Sequence, residues 1–384
     1  MEKSKRILWV NPAFLDYRVP LYAEMKRQSG DSFHLIYSRE RVPDRCDAAT
    51  KAALGEKAHS LEGEKRYRFG VKDFANTGIQ IPVPKGLYRA IKGVKPDMII
   101  TEGYFQFTPW ALWYAFWHRK PLYLAYERTA HTERNCPLWR RLYRKFVNLF
   151  MTGYIANGIQ TKEYLVSQGV KPEKIFTGGM CADSKGLAEG VARMGDEEKT
   201  AFRKEIVGDN RGGLLYVIVG QIINRKGVKE ALAGWEEHVK KYPDDRVLLL
   251  GDGPLLEGLR EKYASEPSVI FKGKVDYREI YRYYAVADVF LIATLEDNWS
   301  LVVPEAMACG LPIACSIYNG CHPELVHRDV NGTTFDPLRR GSIVEALEYF
   351  HHQDLARMGR ESVRIERNYG PAETAANVMR MLKG

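Results

Sequence analysis

The sequence predicts an α/β protein made of two doubly wound domains, and three observations support this. Short apolar runs rich in β-branched and aromatic residues alternate with longer amphipathic segments along the first half of the chain. The alternation stops in a charged, glycine-containing stretch and then resumes. Strand and helix in repetition indicate a parallel sheet with helices on both faces, and 384 residues suffice for two such domains.

The elements of the first half follow from the periodicity of their apolar residues. Buried strands are predicted at residues 6–11, 33–38, 97–101, 121–127 and 153–157. Helices are predicted between them at residues 20–27, 107–118, 137–150 and 161–168.

The second half begins after residues 184–213, which are charged, contain several glycines and lack a strand-like run. Strand patterns return at residues 214–220, 246–251, 268–273, 288–294 and 312–316. We therefore predict an N-terminal domain at 1–185, a linker at 186–212, a second domain at 213–365, and a last helix at 366–384 that packs back on the first domain. Because ligands of such sheets bind beyond the carboxyl ends of the strands, we expect the domains to face each other across a cleft.

Composition narrows the setting. The chain carries 57 Lys and Arg against 48 Asp and Glu, a formal net charge of +9. This excess suggests nucleic acid, an anionic membrane or a phosphorylated substrate as partner, although many enzymes are mildly basic without one. Six cysteines without a CxxC pair favour a reducing compartment. The longest strongly apolar stretch, residues 110–117, is too short to cross a bilayer, so we expect a cytoplasmic protein.

The most informative segment, residues 296–313, reads EDNWSLVVPEAMACGLPI. It follows a predicted strand, and Pro304 fits the first turn of a helix because proline lacks an N–H. Free N–H groups near Ser300 to Val302, with the helix dipole, are predicted to form an anion site suited to a diphosphate. Asp297 and Glu305 flank this site, and carboxylates accept hydrogen bonds from sugar hydroxyls.

This segment resembles the E-x7-E signature of family 4 of the GT-B glycosyltransferases, the group 1 glycosyl transferases. Further pieces follow the family's order. GQIINRKG at 220–227 resembles its G-R-x4-K-G loop, GDGP at 251–254 its G-x-G-P turn, and FKGKV at 271–275 the segment that reads the base. Gly320 and Glu324 resemble its G-x3-E, and residues 331–332 its later turn. Each piece alone is a weak signal, whereas the ordered set is specific.

The resemblance implies a GT-B fold and transfer with retention of the anomeric configuration. By position, Glu305 would hold the ribose hydroxyls, Asp297 hydroxyls of the transferred sugar, and Lys226 the diphosphate. The alternative is that Asp297 only caps the helix and Glu305 is solvated. The donor-binding residues implied in this way are Gly220, Gln221, Gly253, Lys274, Val275, Asn298, Trp299, Ser300, Leu301, Val302 and Glu305.

Two positions depart from the family pattern. Asp297 stands where the family usually has the longer Glu. Gln221 stands where it usually has an Arg that binds phosphate. Arg225, just before Lys226, is a candidate replacement, and which of Gln221 and Arg225 takes that place stays open at this point.

The first domain offers candidate acceptor residues. Tyr17 and Arg18 follow the first strand, and Arg18 is expected either to bind an acceptor phosphate or carboxylate or to lie on the surface. Glu127 stands after a strand where the family often has His, and it is either a general base or a loop residue without a catalytic role. Arg128 and His131 are further candidate acceptor contacts.

Together these observations predict a retaining glycosyltransferase that moves a hexose-type sugar from a nucleotide diphosphate sugar to a glycan or lipid-linked acceptor, in bacterial envelope or other glycoconjugate synthesis. A UDP-sugar is favoured over a GDP-sugar, and neither a further cofactor nor nucleic acid is expected. The absence of an Asp-x-Asp pair and of ligand spacing among the nine histidines predicts catalysis without a metal. The alternatives are a GT-B epimerase of a UDP-sugar and a non-catalytic basic protein that binds membrane or nucleic acid.

Two segments of the first domain also predict peripheral binding to an anionic membrane, at its inner face. Trp110, Trp113, Phe116 and Trp117 precede Arg119 and Lys120, and the next helix carries an apolar stripe of Leu138, Leu142, Phe146 and Leu149 beside Arg140, Arg141, Arg144 and Lys145. Such a pattern suits an interfacial helix. The alternative is that the stripe packs on the sheet and the cations are solvated.

Overall fold

The computed structural model describes residues 5–70, 78–208 and 212–383, without the side chains of residues 68–70 and 78–81. It divides into two compact units. Unit 1 comprises residues 1–181 and 369–384, and unit 2 comprises residues 182–368.

Unit 1 is built around a seven-stranded parallel sheet of order β3-β2-β1-β6-β7-β8-β9, with a separate antiparallel hairpin of β4 and β5. The strands are β1 Ile7–Val10, β2 Phe33–Ser38, β3 Ala58–Leu61, β4 Lys65–Gly70, β5 Gly78–Val83, β6 Met98–Glu102, β7 Leu122–Tyr126, β8 Gly153–Ala156 and β9 Ile175–Phe176. The helices are α1 Arg18–Gln28, α2 Asp44–Leu54, α3 Leu87–Val94, α4 Thr108–His118, α5 Leu138–Asn148 and α6 Ile159–Ser167, with α16 Pro371–Lys383 from the end of the chain.

The central strand β1 shows why this sheet is covered on both faces. All four of its residues are buried, and because strand side chains alternate between faces, Trp9 enters one apolar core and Leu8 the other. Helix α16 completes the first of these cores, where Leu382 lies in the same cluster as Leu21.

Unit 2 is built around a six-stranded parallel sheet of order β12-β11-β10-β13-β14-β15. The strands are β10 Leu215–Val219, β11 Arg246–Leu250, β12 Val269–Gly273, β13 Val289–Ile292, β14 Ile313–Ser316 and β15 Gly332–Phe335. The helices are α7 Lys185–Arg193, α8 Asp196–Val207, α9 Val228–Lys241, α10 Leu256–Lys262, α11 Ile280–Val286, α12 Val302–Ala308, α13 His322–Leu325, α14 Arg340–Tyr349 and α15 Leu355–Glu366.

Two parallel sheets in two domains confirm the predicted α/β class. The linker predicted at 186–212 differs, because α7 and α8 occupy most of it and pack on α11. Close packing explains Gly190, where a Cβ would lie 2.6 Å from the Tyr281 ring. The two helices were not predicted because charged residues on their exposed faces outnumber the few apolar residues, such as Phe202, by which they pack.

Among the described residues, no helix is both long enough and apolar enough to span a bilayer.

Candidate active site

The carboxyl ends of β10 and β13 bring two loops of unit 2 together. The loop after β10 ends at Gly227, which has a φ of 64° and directly precedes α9. A Cβ at this position would lie 1.8 Å from the carbonyl oxygen of Ala293. Only glycine therefore allows the loop that carries Arg225 and Lys226 to lie directly against the end of β13.

Hydrogen bonds between the two loops fix the cations. The carbonyl oxygen of Arg225 accepts from Thr294 Oγ1 at 3.0 Å and from the Leu295 amide at 2.8 Å. The Arg225 guanidinium donates to the carbonyl oxygen of Glu296 at 3.3 Å. Arg225 and Lys226 are thus held beside the start of the signature loop.

Asp297 is the centre of this arrangement. Its Oδ2 accepts from Lys226 Nζ at 2.5 Å and from Ser300 Oγ at 2.7 Å, and it lies 3.8 Å from the Arg225 guanidinium. Its Oδ1 accepts from the Trp299 amide at 3.2 Å. Asp297 therefore orders the loop before α12. It does not cap the helix as the predicted alternative had it, because the N-cap of α12 is Leu301 and no side chain caps this end. Its contact with a sugar stays a prediction.

The electrostatics follow from these contacts. Burial alone would raise the pKa of Asp297, but Lys226, Ser300 and Arg225 together hold that pKa below its ordinary value. Asp297 is thus an anion opposed by two cations. The side chains of Lys226 and Arg225 keep 19% and 33% of their surface exposed, so both can still meet a ligand.

Asn319 is a site residue that the sequence analysis missed. It pairs with Asp297 through the backbone, and its Oδ1 accepts from the Ser300 amide at 3.3 Å. The predicted anion site near Ser300 to Val302 is therefore smaller than expected, because the Ser300 N–H already has a partner. Its place directly before Gly320, a residue of the family pattern, could have indicated Asn319 as a site residue.

Glu305 lies in α12 and is buried. The hydroxyl of Tyr277, a second residue that the sequence analysis missed, lies 3.2 Å from its Oε1 and donates to it. Burial raises the pKa of Glu305 to about 7, although the Tyr277 hydrogen bond lowers it. The predicted alternative that Glu305 is a solvated helix residue is wrong, because α12 packs between the sheet and α15.

The other predicted donor residues lie around these loops. A Cβ at Gly220 would meet open space, whereas one at Gly253 would lie 2.5 Å from the carbonyl oxygen of Ile222. Gln221 and Lys274 are exposed, Val275 and Asn298 are half-buried, and Trp299 is buried. Leu301 and Val302, at the start of α12, are half-buried.

In unit 1 one of the two alternatives predicted for Arg18, a position on the surface, is wrong. Arg18 is buried, and its guanidinium lies 3.8 Å from Glu102 Oε1. Glu102, which the sequence analysis missed, also accepts from Trp9 Nε1 at 3.1 Å and from Asn11 Nδ2 at 3.3 Å. The charge of Arg18 is therefore matched within unit 1, and its binding of an acceptor stays a prediction.

The remaining predicted residues of unit 1 lie at the end of β7. Glu127 is exposed. Burial is the main cause that raises the pKa of Glu102; Arg18 lowers that pKa, and the charge of Glu127 raises it further. Arg128 forms an ion pair with Glu133 at 3.2 Å. His131 is half-buried in this loop after β7, and Tyr17 is half-buried in the loop after β1. Glu127 therefore keeps a free approach to its carboxylate, whereas Arg128 has a structural partner.

One group within the described residues has the composition of a metal site. Nε2 of His238 and Nε2 of His351 lie 2.7 and 2.8 Å from the same Asp245 oxygen. These are hydrogen-bond distances, and they suit two imidazole N–H groups donating to one carboxylate. The group involves α9 and the segment after α14, and it includes none of the residues of the donor motifs.

Residues 213–353 match the family model described as Glycosyl transferases group 1. The match comprises the whole sheet of unit 2 and every donor motif recognised above. Residues 213–353 are thus similar to the group 1 glycosyl transferases, over about a third of the chain.

Curated relatives share parts of the chain. A sulfoquinovosyl transferase of Arabidopsis thaliana is 33% identical over 112 residues, which cover 29% of this chain and 22% of that protein. An alpha-monoglucosyldiacylglycerol synthase of Acholeplasma laidlawii is 28% identical over 142 residues, which cover 36% of this chain and 35% of that protein. The matched region thus spans at most about a third of these two relatives.

Solved structures match the fold over nearly the whole chain. The Anabaena protein HepE, crystallised in complex with UDP, superimposes with a TM-score of 0.76 at 13% identity over 98% of this chain and 99% of that one. A glycosyltransferase from Rickettsia africae gives a TM-score of 0.73 at 12% identity over 99% of this chain and 98% of that one. These likenesses confirm the predicted GT-B fold.

Proposed function

We propose that this protein is a retaining glycosyltransferase that transfers a hexose-type sugar from a UDP-sugar to an acceptor hydroxyl without a metal ion. The observation that carries the proposal is the arrangement of Lys226, Asp297 and Glu305 at the carboxyl edge of the matched domain's sheet. Open α/β sheets bind their ligands at this edge.

Lys226 has the chemistry that a leaving diphosphate requires. An ammonium group has three N–H donors, and only one is needed for Asp297. The others are available to phosphate oxygens, and a positioned cation stabilises the charge that develops as the sugar leaves. Arg225, beside the same carboxylate, adds a second cation where Gln221 cannot.

Glu305 has the chemistry to select a ribose. Its raised pKa reflects burial with too few hydrogen-bond donors. Ribose hydroxyls would donate to the carboxylate, favour its ionised form and lower that pKa. The choice of uridine is supported by the UDP in the crystals of the structurally similar Anabaena protein.

The transfer itself needs no protein nucleophile in this proposal. The bond between the anomeric carbon and the diphosphate breaks, and the acceptor oxygen bonds to that carbon on the same face. The acceptor proton passes to the departing diphosphate. The configuration is retained because the new bond forms on the face from which the diphosphate leaves. A lipid-linked acceptor is supported by the name of one relative, the alpha-monoglucosyldiacylglycerol synthase.

The test is release of nucleoside diphosphate from UDP-glucose, UDP-galactose, UDP-N-acetylglucosamine and GDP-mannose, each with and without a diacylglycerol acceptor and in excess EDTA. We expect release with one UDP-sugar, dependent on acceptor, with the α configuration of the donor kept in the product by NMR. Release that needs manganese contradicts the metal-independent part. Isomerised sugar nucleotide without acceptor would identify an epimerase, and turnover by neither route rejects the proposal.

A further inference from the structure

None of the described residues covers an apolar face on unit 1. The face consists of residues of α4 and α5 with Leu149, which directly follows α5, and it is called the α4–α5 face from here on. Its members are Trp113, Phe116, Trp117, Leu138, Trp139, Leu142, Phe146 and Leu149, and each exposes at least half of its surface, from 50% for Trp139 to 78% for Leu149.

Ring contacts join the two helices into one continuous face. The Trp117 ring lies 5.6 Å from Trp113 and 5.7 Å from Phe116. Phe116 contacts Phe150 at 5.9 Å, and Phe150 contacts Phe146 at 5.2 Å. A soluble monomer seldom exposes a contiguous apolar patch of this kind without a binding role.

Helix α5 is turned so that its apolar stripe faces outward. Arg144, predicted to lie with the solvated cations, is instead buried, and its guanidinium donates to Glu133 at 2.7 Å and to the Tyr164 hydroxyl at 2.9 Å. This pair fixes the rotation of α5 about its axis. The predicted alternative that the stripe packs on the sheet is therefore wrong, because the sheet-facing side holds Arg144 and Val147.

The charge around the face identifies what it fits. Arg119, Arg141 and Lys145 are exposed beside the apolar residues. The sequence has no Asp or Glu from residue 103 to 126 or from 134 to 162, so no acid of these two helices opposes them. A second copy of this face would therefore meet like charge in a two-fold interface.

We propose that the α4–α5 face docks on an anionic lipid bilayer. Tryptophan side chains settle at the level of the lipid headgroups, phenylalanines and leucines enter the acyl boundary, and the surrounding cations meet anionic lipids. The proposal goes beyond the transfer reaction, since it rests only on unit 1 and would hold whatever sugar is transferred.

The first experiment is flotation of the full-length protein with vesicles of phosphatidylcholine, with or without a third of phosphatidylglycerol. We expect flotation with the anionic vesicles at low salt and release at high salt, because the charge contribution is screened. Quenching of tryptophan fluorescence by lipids brominated on the acyl chain should accompany binding. A folded protein that does not float with anionic vesicles at low salt overturns the proposal.

Paired variants test which residues are responsible. Leu142→Ser with Trp117→Ser should raise the half-saturating lipid concentration about tenfold or more, a loss of roughly 1.4 kcal/mol. Leu338→Ser is the matched control, since Leu338 is 65% exposed on unit 2, and it should bind as the wild type does. Arg141→Gln with Lys145→Gln should weaken binding to anionic vesicles only, whereas Lys185→Gln, at another exposed cation, should not.

Two results would point elsewhere. Equal lipid binding by the double serine variant and the wild type overturns the proposal, as does a concentration-dependent dimer that Leu142→Ser disperses. UDP binding by calorimetry, measured on the same preparations without lipid, keeps this test separate from the proposed activity. A protein that floats but does not bind UDP would retain the docking face and lose the proposed donor.

Discussion

The two units use their charged side chains in opposite ways. In unit 2, Lys226 and Arg225 oppose Asp297 and remain partly exposed, with 19% and 33% of their side-chain surface accessible. In unit 1, Arg18 and Arg144 are 6% and 4% accessible, and each pairs with a carboxylate of its own unit. The buried cations of unit 1 organise loops and helices, whereas the partly exposed cations of unit 2 remain able to bind an anion.

The contrast between the units predicts its largest effect for removal of the buried cation Arg144 in unit 1. Arg144→Met should lower the free energy of unfolding by about 3–5 kcal/mol, because Glu133 loses a buried partner. Arg128 remains 3.2 Å from Glu133 and should reduce the decrease in the free energy of unfolding. Urea denaturation measures the effect.

The matched control is Arg141→Met, at an exposed position three residues away on α5. It should change the free energy of unfolding by less than about 0.5 kcal/mol. Equal effects of the two variants would show that Arg144 is not the residue that fixes α5.

A second effect separates the two carboxylates of the signature by their pH dependence. Glu305 has its pKa raised to about 7 from 4.5, so the native state keeps a proton that the unfolded chain releases. Stability should therefore fall by about 3 kcal/mol as pH rises from about 4.5 to about 7. Asp297, whose pKa is lowered, contributes stability that is lost as pH falls below its unfolded value.

Glu305→Gln removes the titrating group and keeps a similar shape. The variant should lose the slope between about pH 4.5 and 7, as measured by chemical denaturation across that range. An unchanged slope in Glu305→Gln would show that another group titrates there. Glu279→Gln, at an exposed carboxylate in the same unit, serves as the control.

The same contrast between units explains what the sequence could predict. The ten predicted strands all occur, because each is a buried run between turns. Lys226 and Asp297 lie together as predicted, because motifs at the ends of neighbouring strands meet at one edge of a parallel sheet. Short edge strands such as β3 and β15 escaped notice because their residues pack on one neighbour only.

In unit 1 the sequence could not predict which face of a helix is buried. The 3.6-residue period correctly grouped Leu138, Leu142 and Phe146 on one face of α5, but it cannot say which face turns inward. That depends on Glu133, which lies in a preceding loop and binds Arg144. Arg18 is the same case, because this residue begins α1 whereas its partner Glu102 is distant in sequence, at the end of β6.

A third prediction concerns the exposed side of the comparison. Lys226→Ala should lower the transfer rate about tenfold to a hundredfold, the effect of removing a charge-assisted contact of about 1.5–3 kcal/mol. The fold should persist, because the ion pair with Asp297 is partly solvated. Nucleoside diphosphate release and thermal unfolding are measured together, and a rate that falls only with stability would deny Lys226 a role at the diphosphate. Lys229→Ala, at an exposed lysine one turn further along, is the control.

The smallest expected effect distinguishes two neighbouring cations. Arg225 lies 3.8 Å from Asp297, against 2.5 Å for Lys226, and its guanidinium also donates to a carbonyl oxygen. Arg225→Ala should therefore lower the rate only about two- to fivefold, as expected for a partly exposed charge contributing about 0.5–1 kcal/mol.

A charge restored at position 221 sharpens this last test. Gln221 is exposed on the loop that begins at Gly220, at the position where the family that this segment resembles usually has an Arg. If Arg225 supplies that missing charge, Gln221→Arg should recover most of the rate in the Arg225→Ala background and add little to the wild type. The measurement is the rate of nucleoside diphosphate release at saturating donor, with UDP affinity from calorimetry. A silent Arg225→Ala beside an impaired Lys226→Ala would mean that one cation suffices, since Lys226 alone then balances both Asp297 and the diphosphate.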